Sequence, residues 1–130
     1  MSQILLVEDD LWLAELYQRV LTEAGYQVLH GASAKQGLQL LDAHAGSITL
    51  IILDMFLPDH NGVEFLHEVA SYNDCNSIPV MLLSSVSASD FSMSTERWRQ
   101  YGVQQYLYKP STKPQDIVVA VKKQLLQAAI

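Results

Sequence analysis

Charged and hydroxyl side chains follow four short apolar runs of this sequence, each at the residue where the run stops. In chain order they are Glu8, Asp9 and Asp10, then Asp54, then Ser84 and Ser85, and finally Lys109. If the four runs are parallel strands of one sheet, their ends lie along one edge and these side chains converge there. Carboxylates that crowd within ~4 to 6 Å repel one another unless a cation joins them or one of them binds a proton.

An all-oxygen cluster at this edge would suit a hard divalent cation. Carboxylate oxygens favour Mg²⁺ (or Mn²⁺), whereas zinc in proteins prefers His and Cys. The cation and Lys109 would together stabilise negative charge beside Asp54, as the transfer of a phosphoryl group requires. Since a carboxylate can be the nucleophile, Asp54 is a candidate for forming an aspartyl-phosphate.

Each of these residues also has an ordinary structural interpretation. Asp10 alone would suffice to start a helix after the first run, because acidic side chains favour helix N-termini. A Lys-Pro pair such as Lys109-Pro110 occurs in many turns, and a lone Asp at a strand end is common. The joint occurrence of these residues at four successive strand ends is what favours a functional site.

The elements that must position these residues are five strands and five helices in strict alternation. Apolar runs of strand length occupy 4–7, 26–30, 49–53, 78–84 and 103–108. Five helical segments alternate with these runs. The first ends at Gly25, the second is capped by Ser33, the third covers 62–72, the fourth ends at Gly102 and the fifth begins at Asp116. Such alternation with short loops predicts βαβ units, and therefore an α/β fold whose parallel sheet is doubly wound.

Composition excludes several classes of function. With 130 residues the chain has the size of one domain. Its net charge of -6 offers no basic patch for phosphates, which argues against direct binding of nucleic acid. Cys75 is the only cysteine, so an internal disulfide and a cysteine metal cluster are excluded. The N-terminus lacks a basic region and a long apolar run, so we expect a cytoplasmic protein that does not enter a membrane.

The segments ILLVEDD, LIILDMFLPDHNG, IPVMLLSS and YLYKP, in this order, resemble the receiver (REC) domain of two-component response regulators over nearly the whole chain. The resemblance implies a single receiver domain over 1–130, with no output domain in this chain. Its fold would be flavodoxin-like (βα)5, with five parallel strands in the order 2-1-3-4-5. Its function would be that of a phosphoacceptor in a histidine-aspartate phosphorelay. It would not be an enzyme, beyond self-phosphorylation from phosphodonors and autodephosphorylation.

The resemblance also implies a set of metal ligands. Asp9 and Asp54 would bind Mg²⁺ directly, and Phe56 would offer its backbone carbonyl. Glu8 would bind the ion through water. Asp10 falls one place beyond the acidic pair and keeps its interpretation as a helix-starting acid.

For the phosphoryl group, the resemblance implies that Asp54 accepts it from a sensor histidine kinase or a histidine phosphotransfer protein. Lys109 would contact the phosphoryl oxygens, and Ser84 would hydrogen-bond to them after phosphorylation. Tyr106 matches the aromatic residue that turns inward as Ser84 moves. The face formed by the fourth helix, fifth strand and fifth helix would then bind a downstream effector protein or a second copy of the chain. The Lys109-Pro110 peptide resembles one that is cis in this family.

Three rival interpretations remain open at the level of sequence. A receiver-like domain could bind partners without accepting phosphate. A phosphohydrolase of the haloacid dehalogenase type also uses a strand-end Asp, but it requires a second Asp two places later, where Phe56 stands here. A flavin-binding domain is disfavoured because the first strand leads into acids that would repel a phosphate.

The sequence departs from the family pattern in several places. The Ser-rich segment between Ser84 and Lys109 is about one helical turn longer than the resemblance implies. Phe56 and Val86 are apolar where a polar residue could assist water, so we expect a longer-lived phosphoryl group.

Two other groups of residues are the four histidines and the outer apolar residues of the last helix. The histidines His30, His44, His60 and His67 show no ligand spacing and are assigned surface or packing roles, while Val118, Val119 and Leu126 indicate a second apolar face on the last helix.

Overall fold

The computed structural model describes residues 3–57, 62–71, 77–86 and 95–128, and within them five strands alternate with five helices. The strands are β1 (Gln3–Val7), β2 (Gln27–Gly31), β3 (Ile48–Asp54), β4 (Val80–Ser84) and β5 (Val103–Tyr108). The helices are α1 (Leu11–Glu23), α2 (Ala34–His44), α3 (Gly62–Ala70), α4 (Thr95–Gln100) and α5 (Pro114–Ala128). The predicted alternation is confirmed.

All five strands are parallel and lie in the order β2-β1-β3-β4-β5, which confirms the predicted doubly wound, flavodoxin-like topology. Alternate residues of the strands face opposite sides of the sheet. Leu5, Val7, Ile51 and Leu53 join one core with α2, α3 and α4, while residues between them join a second core with α1 and α5. Strands covered on both faces are mainly apolar, as the buried run 50–53 of β3 is.

Side-chain caps fix where the first two helices begin. The Leu13 N–H donates to Asp10 Oδ1 at 3.1 Å, so Asp10 is the N-cap of α1. The Gln36 N–H donates to Ser33 Oγ at 3.2 Å, which confirms Ser33 as the N-cap of α2. Each cap satisfies a backbone N–H that the first helical turn leaves without a partner.

The last helix begins two residues earlier than predicted, at Pro114. Proline suits the first turn of a helix because its fixed φ is already helical and its missing N–H is not needed there. Asp116 therefore lies inside the first turn, where its carboxylate accepts a hydrogen bond from the Lys113 N–H at 2.8 Å. The Lys109-Pro110 peptide is trans, so the cis geometry implied by the resemblance is wrong.

Two glycines allow helices to approach the sheet closely. A Cβ at Gly37 would lie 2.9 Å from Val7 Cγ2, and a Cβ at Gly62 would lie 2.6 Å from the Met55 sulfur. The Gly62 N–H also donates to the Met55 carbonyl at 2.6 Å. Gly62 thus starts α3 directly against Met55, where there is no room for a larger residue.

The outer face of α5 carries two exposed apolar residues. Val119 and Leu126 are 66% and 69% exposed, whereas Val118 packs into the domain's own core. Of the three residues predicted to form a second apolar face on this helix, two are therefore exposed and one is part of the core. None of the helices in the described part of the chain is long and apolar enough to cross a membrane.

Candidate functional site

Four charged side chains converge at the carboxyl ends of β1, β3 and β5. Since Val7 pairs with Leu53 in the sheet, the residues that follow this pair, Glu8 and Asp54, are neighbours. Carboxylate oxygens of Glu8, Asp9 and Asp54 all lie within 4.8 Å of one another. Lys109 reaches this cluster from the end of β5.

Lys109 bridges two buried carboxylates. Its Nζ lies 2.7 Å from Glu8 Oε1 and 3.2 Å from Asp54 Oδ2. Glu8 is fully buried and Asp54 is 4% exposed, while Asp9 is exposed. Apart from the Lys109 ion pair, Glu8 Oε1 has no hydrogen-bond donor among the described residues. One ammonium group therefore faces three carboxylates, two of which are removed from water.

The pKa values reflect this shortage of positive charge. Burial, and then the hydrogen bond and charge of Glu8, raise the pKa of Asp54 to about 6 despite the opposing effect of Lys109. Burial and the neighbouring Asp54 likewise raise the pKa of Asp9. Burial alone would lower the pKa of the Lys109 ammonium, but Glu8 and Asp54 outweigh it and the pKa is raised.

The donor set fits a hard divalent cation. All three acids present oxygen, the ligand that Mg²⁺ prefers, and the single ammonium of Lys109 cannot neutralise three carboxylates. The exposure of Asp9 leaves the cluster open to solvent on one side, as an ion that keeps some of its waters requires. The Phe56 N–H donates to Asp54 Oδ1 at 3.2 Å, so the Phe56 backbone also lies beside the cluster.

Ser84 and Tyr106 are linked through the backbone of Val86. Ser84 Oγ accepts the Val86 N–H at 3.0 Å, and the Tyr106 hydroxyl donates to the Val86 carbonyl at 2.6 Å. The Tyr106 ring is partly buried and packs at a tilt against Trp98, with ring centroids 6.0 Å apart. In this arrangement the Ser84 hydroxyl is engaged by Val86, and Tyr106 connects the end of β4 to α4.

His30 contacts the site, although the sequence analysis assigned it a surface or packing role. Its Nε2 donates to the Glu8 carbonyl at 2.8 Å, and the Glu8 N–H donates to the Gly31 carbonyl at 3.1 Å. The available signal was the position of His30 at the end of a strand adjacent to β1. His67 lies elsewhere, with its Nδ1 3.4 Å from the Tyr101 hydroxyl. His60, Cys75 and most of the Ser-rich segment lie outside the described residues.

Comparison with known proteins identifies a family and relatives that this chain resembles. The model of the response regulator receiver domain family matches residues 4–122. Transcriptional regulatory protein MalR of Bacillus subtilis is 38% identical over 112 residues, which are 85% of this chain and 45% of that protein. Probable transcriptional regulatory protein SilR of Salmonella typhimurium is 33% identical over 83% of this chain and 44% of its own length. The chain thus spans less than half the length of these curated relatives.

Solved structures agree with the fold. A response regulator receiver domain protein from Clostridium thermocellum superposes with a TM-score of 0.82 at 23% identity, covering 99% of this chain and 98% of that one. The signal receiver domain of a putative Luxo repressor protein from Vibrio parahaemolyticus superposes with a TM-score of 0.81 at 26% identity. It covers 98% of this chain and 92% of that one.

Replacing Asp54 with Asn should stabilise the metal-free protein in a pH-dependent way. Because folding raises the pKa of Asp54 from 3.8 to about 6, its ionisation destabilises the folded state increasingly between these pH values. Asp54→Asn should therefore unfold with a free energy about 1 to 3 kcal/mol higher above pH 7, and the gain should vanish near pH 4. Urea denaturation in EDTA measures it, with exposed Asp42→Asn as control; a pH-independent gain would contradict the interpretation.

Removing the Lys109 charge should have the opposite effect. Lys109→Met leaves Glu8 and Asp54 buried without their counter-ion, so we expect a loss of about 3 kcal/mol in unfolding free energy at neutral pH. The loss should shrink in acid, where a carboxyl can bind a proton instead. The control is Lys113→Met, at an exposed lysine near the same turn. Equal stability of the two variants at pH 7.5 would show that the Lys109 bridge contributes little.

Proposed function

Because the chain belongs to the family of response regulator receiver domains, we propose that it is a single phosphoacceptor domain of a two-component phosphorelay. Asp54 would take the phosphoryl group of a phosphohistidine carried by a sensor histidine kinase or a histidine phosphotransfer protein. The observation that carries this proposal is the position of Asp54. It ends the central strand β3 with Lys109 at 3.2 Å and two further acids around it.

Phosphoryl transfer at this site would be chiefly a matter of position and charge. A carboxylate oxygen of Asp54 attacks phosphorus as the bond from phosphorus to the imidazole nitrogen breaks, and the imidazole takes up a proton. At neutral pH a carboxyl with a pKa of about 6 is mostly ionised and able to attack. Lys109 Nζ, already at Asp54 Oδ2, can then pair with an oxygen of the phosphoryl group.

The residues that would hold a divalent cation are Asp9, Asp54 and the Phe56 carbonyl directly, and Glu8 through water. Bound Mg²⁺ would supply positive charge for the phosphoryl oxygens. Such an ion also relieves the repulsion among the three carboxylates. Asp9, as the exposed member of the cluster, is the acid that an incoming ion meets first.

The switch would begin at Ser84. Phosphorylation adds negative charge and acceptor oxygens beside it, so its hydroxyl gains by leaving the Val86 N–H and donating to the phosphoryl group. The Val86 backbone then loses the hydrogen bond to Ser84 and keeps the one from the Tyr106 hydroxyl. A preference of about 1 to 3 kcal/mol between two packings of α4, β5 and α5 would suffice to change the binding of an effector protein or a second copy.

The rival phosphohydrolase activity lacks its second carboxylate. The residue two places after Asp54 is Phe56, whose apolar ring cannot act as a general acid or base. A domain that only binds partners would need none of the buried charges found here.

Incubation with acetyl phosphate and Mg²⁺ should add the mass of one phosphoryl group to the protein. The adduct should be labile in alkali, as an acyl phosphate is, and absent in Asp54→Asn or in EDTA. Asp10→Asn is the matched control, because Asn still caps α1 and Asp10 lies outside the proposed ligand set. No adduct from small donors or from histidine kinases would favour a domain that only binds partners.

The phosphoryl group should be lost more slowly from this chain than from a Phe56→Asn, Val86→Glu variant. Polar groups at these positions can orient water towards phosphorus, so we expect loss at least about tenfold faster in the variant. The decay of the mass adduct after donor removal measures this. A control pair, Val119→Asn with Leu126→Glu, places the same residue types on exposed α5 positions. Faster loss from the unmodified chain would contradict the hypothesis.

A further inference from the structure

The main chain of Glu8 is tied to β2 at both of its hydrogen-bonding groups. Its N–H donates to the Gly31 carbonyl at 3.1 Å, and its carbonyl accepts from His30 Nε2 at 2.8 Å. Strand β1 ends one residue earlier, at Val7. The second contact therefore extends the pairing of β1 and β2 by means of a side chain. Because a carbonyl only accepts, the His30 ring must carry its hydrogen on Nε2.

This contact fixes the orientation of a particular peptide unit. The Glu8 carbonyl and the Asp9 N–H belong to one planar group, so holding the carbonyl holds the whole plane. Glu8 and Asp9 leave the main chain at the two ends of that plane. The Asp10 N–H, which donates to Glu8 Oε2 at 3.3 Å, further restrains the buried acid but does not orient Asp9. Asp9 is exposed and its carboxylate meets Glu8 and Asp54 in the acidic cluster, so the peptide that carries Asp9 helps to set the direction of this side chain.

We propose that His30 is a positioning residue for the Glu8–Asp9 pair. Its Nε2–H holds the shared peptide so that the Asp9 carboxylate faces Asp54, and the affinity of the cluster for a divalent cation depends on this. The inference rests on the proposed cation site. Hydrogen bonds that orient metal ligands typically account for ~10- to 100-fold in metal affinity, which sets the size of the expected effect.

A purely structural role for His30 makes a different prediction. If the contact only closed the end of the β1–β2 pair, its loss would lower the unfolding free energy and leave the affinity of the folded protein for Mg²⁺ unchanged. A positioning role requires a change in affinity. It also requires greater motion of the Asp9 amide in the metal-free protein, because the plane would no longer be held.

The test uses the unphosphorylated protein and three variants of His30. His30→Phe keeps a ring but removes the donor, whereas His30→Gln can place an amide N–H near the position of Nε2. His30→Asn carries the same amide on a shorter side chain that does not reach. His44→Phe is the matched control, since His44 lies in the last turn of α2, towards the opposite edge of the sheet. Mg²⁺ titration followed by the NMR shifts of the amides of residues 8–10 gives each dissociation constant.

We expect the dissociation constant to rise at least about tenfold in His30→Phe and His30→Asn, and to stay near that of the unmodified chain in His30→Gln and His44→Phe. The ¹⁵N order parameter of the Asp9 amide without metal should fall in the same two variants. Should His30→Phe fail to fold, the comparison of His30→Gln with His30→Asn decides. Equal affinities in these variants and the control would overturn the inference.

The same titration separates this inference from the proposed function. If the unmodified chain shows no Mg²⁺ binding that Asp9→Asn abolishes, the cation site itself is wrong. If it binds Mg²⁺ with an affinity independent of His30, the site stands and only the role of His30 falls.

Discussion

The described site depends on the ion pairs that the Lys109 ammonium group forms. It lies between the carboxylates of Glu8 and Asp54, both almost without access to water, and it is the positive charge that makes their burial tolerable. Glu8, Asp54 and Lys109 come from the ends of three different strands. The contact forms because all strands run in parallel and end at one edge, with β3 between β1 and β4.

One ammonium cannot balance three acids, and this imbalance explains the chemistry of the edge. The raised pKa of Asp54 shows that the folded chain holds this carboxylate at a cost. A cation or a proton would relieve that cost, and a phosphoryl group on Asp54 would change the balance again. The free-energy cost of ionising Asp54 in the folded chain and the reactivity proposed for Asp54 thus have the same electrostatic origin.

Sequence predicted what depends on local chemistry and on the ends of strands. The apolar run of β3 and the caps Asp10 and Ser33 follow from patterns that a single segment carries. The convergence of the acids with Lys109 follows from the parallel alternation of strands and helices, which brings the strand ends to one edge. His30 escaped prediction because it contacts a backbone carbonyl 22 residues away, and a backbone acceptor leaves no side-chain pattern to detect. The start of α5 was misplaced because Asp116 accepts its hydrogen bond from inside the first turn instead of preceding it.

The tie between Ser84 and Tyr106 uses backbone atoms of Val86 and does not involve its side chain. In the proposed cycle, position 86 therefore has two separable duties: its main chain transmits the signal, while its side chain influences how long the phosphoryl group lasts. Substitution of the side chain at this one position could then change the duration of a response while the backbone hydrogen bonds of the switch are preserved. The lifetime of the phosphoryl group and the coupling of Ser84 to Tyr106 would then evolve independently at the same residue.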